Sequence, residues 1–258
     1  MASLEKYTMY QLLSTSAAKF PSLVAQMYRN DKNAPYTQVT FSEFQEKARS
    51  VALGLDAIGL KRGDKVGFIA DVGPNWLPIS MGITTIGGVD VPRGTDATPQ
   101  ELLYIFKHAD CPIIILDNDK VFAGIADKLG EFSNLKTVIF INGAKPSVPS
   151  HIKVYSLDEI INTGKSQHNA SPNRYAELGA QVTEDDLVTI IYTSGTTGNP
   201  KGVMHSNKSL CWEIWHVADG MPINAGGVTM GFLPPWHVAE RLIESVSLTR
   251  GVAIAFTA

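Results

Sequence analysis

The chain has 258 residues, and its 22 Lys and Arg residues against 25 Asp and Glu residues give a formal net charge of −3. A hydrophobic fraction of 44% with 18% charged residues argues against a disordered chain, and two cysteines exclude a disulfide framework and a cysteine-rich zinc site. The near-neutral charge gives no reason to expect nucleic acid as a partner. No apolar stretch approaches the roughly 20 residues of a membrane-spanning helix, and the first residues lack a secretory signal. We therefore expect a cytoplasmic protein, with peripheral membrane contact left open.

Short apolar strands alternate with amphipathic helices along the first half of the chain. Two helix starts are marked by capping boxes at Thr40–Glu43 and Thr98–Glu101, and Gly59 ends the first of these helices. In chain order, the predicted elements are a helix at 41–58, a strand at 65–72, a helix from residue 76, a strand at 89–91, a helix from residue 99, a strand at 112–116, a helix at 122–129 and a strand at 137–141.

The second half begins with two polar stretches, 142–150 and 163–173, which we predict to be surface loops. The second of these marks a possible subdivision of the chain near 163–182. The elements predicted after it are a strand at 187–193, a strand at 203–205, a helix at 208–218, a strand at 228–233, a helix at 238–248 and a strand at 252–256. Continuous apolar strands separated by helices predict an α/β fold with mostly parallel sheets covered by helices on both faces.

The last predicted strand, Val252–Phe256, is strongly hydrophobic and only two residues follow it. A buried parallel strand is normally followed by a crossover that covers it. We therefore expect residues 1–258 to be the front part of a longer chain. We also expect the face around this strand to be uncovered, which would favour self-association.

One Gly-rich segment carries the strongest functional signal. Residues 192–202 read YTSGTTGNPKG, in which three glycines free the backbone, hydroxyl groups add donors and a lysine adds a cation. Such donors suit a polyphosphate. The segment is neither a Walker A loop nor a GxGxxG fingerprint, and a surface turn without a ligand is the alternative.

The string TSGTTGNPKG resembles the phosphate loop of the AMP-forming acyl-adenylating superfamily, which holds acyl-CoA synthetases, peptide-synthetase adenylation domains and luciferases. The stretches 40–64, 87–101 and 231–241 (the last reading GFLPPWHVAER) are also similar to that family. The HVAER ending and the RGTD string at 93–96 look most like its long-chain fatty acid branch. The resemblance implies that ATP phosphates are bound by Thr193, Ser194, Gly195, Thr196, Thr197, Gly198 and Lys201.

By the same resemblance, Trp236, His237 and Glu240 border the acyl substrate and its adenylate. From the residues alone, Trp236 and His237 could equally be a packed tryptophan and a hydrogen-bonded histidine. Glu240 and Arg241 could be exposed helix charges or members of a structural ion pair.

The activity implied by the family is ATP-dependent activation of a carboxylic acid, here a long-chain fatty acid, through an acyl-adenylate to acyl-CoA. Its cofactors would be ATP with Mg²⁺, and coenzyme A would be the second substrate. The magnesium-associated glutamate and the C-terminal domain with the catalytic lysine are expected beyond residue 258. We therefore assign no catalytic residue or metal ligand within the chain, treat it as an incomplete N-terminal AMP-binding domain, and expect it to be inactive alone.

Two alternatives stay open. The first is a ligase for a short, aryl or amino acid. The second belongs to another class, a non-catalytic remnant that binds phosphate or lipid.

Four further residue groups are weighed from the pattern alone. The helix at 208–218 carries Trp212, Trp215 and His216, which we predict to be core residues because aromatics at helical spacing usually are. His205 is a candidate for a secondary substrate contact. Cys111 and Cys211 are predicted to be buried thiols. No His, Cys, Asp and Glu grouping has zinc spacing, and no GxSxG motif indicates a serine hydrolase.

Overall fold

The structure is a computed structural model that describes residues 7–143, 145–193 and 199–256. Its α-helices are α1 (Met9–Lys19), α2 (Phe41–Ala57), α3 (Trp76–Thr84), α4 (Pro99–Ala109), α5 (Asp119–Ala123), α6 (Leu157–Ala170), α7 (Arg174–Ala180), α8 (Asn207–Gly220) and α9 (Val238–Arg250). Its strands are β1 (Val24–Tyr28), β2 (Thr37–Thr40), β3 (Lys65–Ile69), β4 (Val89–Arg93), β5 (Ile113–Leu116), β6 (Thr137–Phe140), β7 (Lys153–Ser156), β8 (Leu187–Thr193), β9 (Lys201–Ser206), β10 (Val228–Met230) and β11 (Ala253–Phe256).

The described strands form two sheets. The larger has the order β7-β6-β5-β3-β4-β8-β9, in which all neighbours are parallel except the antiparallel pair β8 and β9. The smaller has the order β10-β11-β1-β2, with β2 antiparallel to β1. The predicted α/β class with mostly parallel sheets is confirmed.

Helices bury both faces of the larger sheet, as its apolar strands require. In β5, Ile113 and Ile115 join a core cluster with side chains of α2 and α3, whereas Ile114 and Leu116 join a second cluster with side chains of α4 and α5. The capping box predicted at Thr40 is present at the start of α2, and Gly59 has the positive φ of 104° that ends a helix.

The polar stretch 163–173 is helical over most of its length, so the predicted loop there is wrong. Ser156 caps α6, which continues to Ala170 and packs along α2. The two backbones approach closely at two glycines. A Cβ atom on Gly164 would lie 1.8 Å from the Ser50 carbonyl oxygen, and one on Gly54 would lie 2.1 Å from the Ile160 carbonyl oxygen. The segment reads as polar because the side of α6 away from α2 is exposed; the possible subdivision near 163–182 stays a prediction.

The last strand is covered, so the predicted uncovered face around it is also wrong. Every residue of Val252–Phe256 is at most 7% exposed. Strands β10 and β1 pair with the two edges of β11, and Ile254 and Phe256 join the core cluster that includes side chains of α2 and α3. The exposed apolar side chains of this region lie instead on β10 and just after it, at Val228, Met230 and Phe232. Over the described ranges, no helix is both long and apolar enough to cross a membrane.

The close α2–α6 approach predicts a strong effect of Gly164→Ala. Its methyl group has no room against backbone atoms, and we expect the free energy of unfolding to fall by about 1–3 kcal/mol, the range for overpacked cores. Urea unfolding followed by circular dichroism measures this change.

Gly220→Ala is the matched control, because Gly220 is also helical but has no heavy atom within 4 Å of an added Cβ. We expect that change to be neutral or to stabilise by up to about 1 kcal/mol. Equal effects of the two substitutions would contradict the close approach.

Candidate active site

The Gly-rich segment links two paired strands. β8 is buried from Val188 to Tyr192 and ends with Thr193, which lies directly opposite Lys201 in the antiparallel ladder. The Thr193 and Lys201 side chains are both exposed, so the first and last predicted phosphate-binding residues are neighbours with access to solvent. Lys201 is the first residue of β9, which begins two residues earlier than predicted. The other predicted phosphate-binding residues, Ser194, Gly195, Thr196, Thr197 and Gly198, lie outside the described residues.

Two residues fix the base of this segment. The buried Tyr192 hydroxyl lies 2.6 Å from Nδ1 of His108, on α4, and burial raises the pKa of Tyr192 to about 12, so the phenol stays neutral. A Cβ atom on Gly202 would lie 2.7 Å from Cγ2 of Ile190, so glycine is needed for the close approach of β9 to β8. The strand ends are therefore held firmly on both sides of the segment.

The second predicted group lies where α9 begins. Trp236 is 9% exposed, and its ring covers the backbone of Gly94 so closely that a Cβ atom there would lie 2.2 Å from the ring carbon Cζ2. His237 is the N-cap residue of α9, but its side chain makes no capping hydrogen bond and is exposed. Trp236 is thus the packed residue of the pair, and the His237 imidazole is free to meet a ligand.

Arg241 forms a structural ion pair, which was one of the two predicted alternatives. Its partner is Asp90 of β4 and not Glu240. The guanidinium donates to both Asp90 carboxylate oxygens, at 2.8 and 2.6 Å, and also to the Ser80 and Thr189 hydroxyl oxygens, at 2.9 and 3.1 Å. The two side chains are 1% and 0% exposed. The alternative of exposed helix charges is therefore wrong for Arg241.

Two glutamates on α9 are buried without partners. Glu240 and Glu244 are each 1% exposed, and none of their four carboxylate oxygens has a hydrogen bond of good geometry in the described structure. Burial raises the pKa of Glu240, although the backbone N–H groups of Phe232 and Leu233 oppose the shift. For Glu244, burial and then the nearby Glu240 raise the pKa to about 8, against the opposing charge of Arg241. Glu240 is thus a buried residue beside the 231–237 turn, not an exposed helix charge.

Sequence reasoning missed Asp90 and Glu244. Asp90 is the lone charged residue within the apolar run GGVDVP, and a charge inside a buried strand needs a partner. Glu244 lies four residues after Glu240, and this spacing places two carboxylates on one face of a helix. Both signals are present in the sequence, but only the fold shows that Arg241 forms its ion pair with Asp90 and not with Glu244.

An apolar groove runs between α8 and the start of α9. Its volume is about 480 Å³, and its lining includes His205, Trp212, His216, Val238 and Leu242. The prediction that Trp212 and His216 belong to the core is wrong, because both are exposed: the Trp212 side chain is 52% exposed and stacks on His216 with the ring centroids 3.8 Å apart.

The cysteines lie apart from this chemistry. Cys111 and Cys211 are buried, as predicted, and burial raises the pKa of each thiol to about 12. Neither is therefore a thiolate nucleophile near neutral pH.

Comparison with known proteins decides the family. The family described as AMP-binding enzyme matches residues 13–258, which is nearly the whole chain. The chain belongs to the AMP-binding enzyme family.

Curated members of this AMP-binding family extend the comparison. The chain is 34% identical, over 249 residues, to the chloroplastic long-chain-fatty-acid–acyl-carrier-protein ligase AEE15 of Arabidopsis thaliana, an alignment that covers 94% of this chain and 34% of the relative. It is 27% identical, over 233 residues, to the long-chain-fatty-acid–CoA ligase FadD15 of Mycobacterium tuberculosis, covering 90% of this chain and 37% of that relative. The chain thus spans about a third of the length of these relatives.

Solved structures share the fold of this AMP-binding chain. A crystal structure of a putative long-chain-fatty-acid CoA ligase from Rhodopseudomonas palustris aligns with a TM-score of 0.75 at 18% identity, covering 99% of this chain and 58% of that one. An inhibitor-bound N-terminal domain of FACL13 from Mycobacterium tuberculosis aligns with a TM-score of 0.75 at 23% identity, covering 96% and 56%. At these identities the likeness establishes the fold alone.

The raised pKa of Glu244 predicts a pH-dependent stability. In the unfolded chain this carboxyl has a pKa near the ordinary glutamate value of 4.5, and in the folded chain burial raises the pKa to about 8. Between these values the folded state holds a proton that the unfolded state releases, so the free energy of unfolding falls as the pH rises from about 5 to 8. The slope approaches about 1.4 kcal/mol per pH unit at its steepest.

In Glu244→Gln this component of the slope should disappear, and the variant should be more stable than the wild type at pH 8. Urea unfolding between pH 5 and 8 measures it, with Glu177→Gln, an exposed glutamate of α7, as the control that keeps the wild-type slope. A Gln variant that retains the full slope would show that Glu244 is not its source.

Proposed function

We propose that this chain provides the phosphate-binding loop and one wall of the acyl site in a ligase that activates a fatty acid with ATP. The proposal depends most on the sequence of residues 192–202, which joins two strand ends held in fixed register. Thr193 and Lys201, at those ends, are exposed and adjacent, so a hydroxyl and an ammonium group would approach the same phosphate group from either side.

The chemistry of the first step explains this arrangement. An oxygen of the fatty acid carboxylate attacks the α-phosphorus of ATP, the bond from that phosphorus to the bridging oxygen breaks, and pyrophosphate leaves. Lys201 and the donors of the loop would hold the β- and γ-phosphates and stabilise the charge of the leaving group. Among the described residues no group of three His, Cys, Asp or Glu side chains could hold a metal ion. Mg²⁺, whose associated glutamate is expected beyond residue 258, would share the charge of the phosphates.

The groove between α8 and α9 favours an apolar acid. Trp212, Val238 and Leu242 contribute apolar surface to its lining, and Val238 directly follows the exposed His237. An acyl chain in the groove would leave its carboxylate beside the imidazole, close to the residues predicted to border the adenylate. This position supports a fatty acid over the alternatives of a short, aryl or amino acid.

The second step transfers the acyl group to a thiol. A thiolate attacks the carbonyl carbon of the acyl-adenylate, a thioester forms and AMP leaves. Coenzyme A is the acceptor expected from the sequence. The higher identity to a ligase named for an acyl carrier protein, 34% against 27% for the CoA ligase, favours a carrier-protein thiol as the second candidate acceptor.

Lys201→Ala tests the phosphate-binding part of the proposal. A charge-assisted hydrogen bond contributes about 1.5–3 kcal/mol, so we expect the dissociation constant for ATP–Mg²⁺ to rise about 10- to 100-fold. Isothermal titration calorimetry on the 258-residue chain measures this change.

The matched control is Lys153→Ala, because Lys153 is also an exposed first residue of an edge strand but lies at the opposite edge of the same sheet. It should bind ATP like the wild type. A wild-type chain that binds no ATP would instead favour the non-catalytic lipid-binding alternative.

The acyl preference is tested with sulfamoyl-adenosine mimics of the adenylate. If four methylene groups enter the groove, at about 0.8 kcal/mol each, the palmitoyl mimic should bind roughly 100-fold more tightly than the acetyl mimic. Competition calorimetry on the same chain compares palmitoyl, acetyl, benzoyl and phenylalanyl mimics. Tightest binding of the benzoyl or phenylalanyl compound would replace the fatty acid with an aryl or amino acid.

A further inference from the structure

Strand β4 contacts both halves of the proposed site. On one side it pairs with β8, with Asp90 opposite Thr189, and β8 leads into the Gly-rich segment. Its other edge pairs with β3, and its residues also meet the turn at 231–237 and the start of α9. The backbone of Gly94, just after β4, lies under the Trp236 ring, and Asp90 binds Arg241. The positions of the Gly-rich segment and of the turn are therefore both fixed by contacts with β4, and a direct contact between them is not needed.

Two attachments fix the turn along β4. Gly94 and Asp90 are four residues apart on an extended strand, which is about 13 Å. Trp236 and Arg241 lie five residues apart and bind at these two points. One attachment would let the start of α9 pivot, whereas two hold its position and its direction. His237, directly after Trp236, is consequently held at a set distance from the strand end at Thr193.

Arg241 is suited to this role by geometry as well as charge. Its planar guanidinium bridges Asp90, Ser80 and Thr189, which belong to β4, α3 and β8, and its Cζ lies 5.6 Å from the centroid of the Trp76 ring. A lysine in its place would keep the charge but could not make the forked contacts.

We propose that Arg241, with Asp90 as its partner, is a positioning residue that sets the distance between the strand end at Thr193 and the turn at 231–237 that carries His237. This inference rests on the proposed function. ATP would be held on the loop side through its β- and γ-phosphates. The acyl-adenylate has lost those phosphates and would place its α-phosphate beside the strand end at Thr193 and its acyl group beside the turn, so only this second ligand depends on the set distance. A misplacement of roughly 1 Å between reacting groups can reduce a rate about 100-fold, and a ligand that spans both groups senses the same displacement.

The experiment compares Arg241→Lys with Arg174→Lys on the 258-residue chain. Arg174 makes a similar forked pair with Asp56, with both hydrogen bonds at 2.9 Å, between α7 and α2 and away from the loop. Calorimetry gives the affinities for ATP–Mg²⁺ and for palmitoyl-sulfamoyl-adenosine. Hydrogen–deuterium exchange reports on the amides of residues 231–237 without any ligand.

For Arg241→Lys we expect the affinity for the palmitoyl mimic to fall about tenfold or more, the affinity for ATP to change less than about twofold, and exchange to accelerate in residues 231–237 ahead of the rest of the chain. Arg174→Lys should change none of these. If Arg241→Lys does not fold, the paired change Asp90→Asn with Arg241→Gln removes both buried charges together and should give the same pattern.

Three results would overturn the inference. They are equal losses for both ligands, exchange that rises uniformly along the chain, and unchanged exchange in residues 231–237. A wild-type chain that binds neither ligand would refute the proposed function. Hydrogen–deuterium exchange of residues 231–237 would then still decide whether Arg241 fixes the position of the turn.

Discussion

The buried Arg241 guanidinium joins β4, α3 and β8 to α9. Three elements reach it, because Asp90 of β4, Ser80 of α3 and Thr189 of β8 all accept its hydrogen bonds. A charge taken out of water needs such compensation, so these elements can take only the arrangement in which every partner is present. The larger sheet is thereby attached to α9, which leads into β11, one of the two inner strands of the smaller sheet.

Most of the fold could be predicted from local patterns. The capping box at Thr40 and the helix start at Thr98 depend on contacts within one turn, and the structure has both helices where the residues placed them. The loop predicted at 163–173 was wrong because α6 is stabilised by its contact with α2, through Gly164, and not by its own composition. The prediction of an uncovered face around Val252–Phe256 failed for the same kind of reason, since Gln26 of β1 pairs with Ile254 of β11 across 228 residues of chain and no local signal shows it.

The candidate site divides in the same way. The Gly-rich string and the Trp236–His237 junction are visible in the sequence, because each is a short contiguous motif. The partner of Arg241, the burial of Glu240 and Glu244, and the exposure of Trp212 are not visible, because each depends on residues brought together from distant parts of the chain. A contiguous motif can be recognised in the sequence, whereas the partner and the burial of each charge depend on the fold.

The contact between Asp90 and Arg241 also bears on the order of assembly. The two residues are 151 positions apart, and β4 lies inside the larger sheet. During synthesis the strands around β4, including β8, precede Arg241 in the chain. A carboxylate inside a strand is costly to bury without a partner, so full burial of Asp90 requires α9. The larger sheet therefore depends on a helix that is made after its last strand.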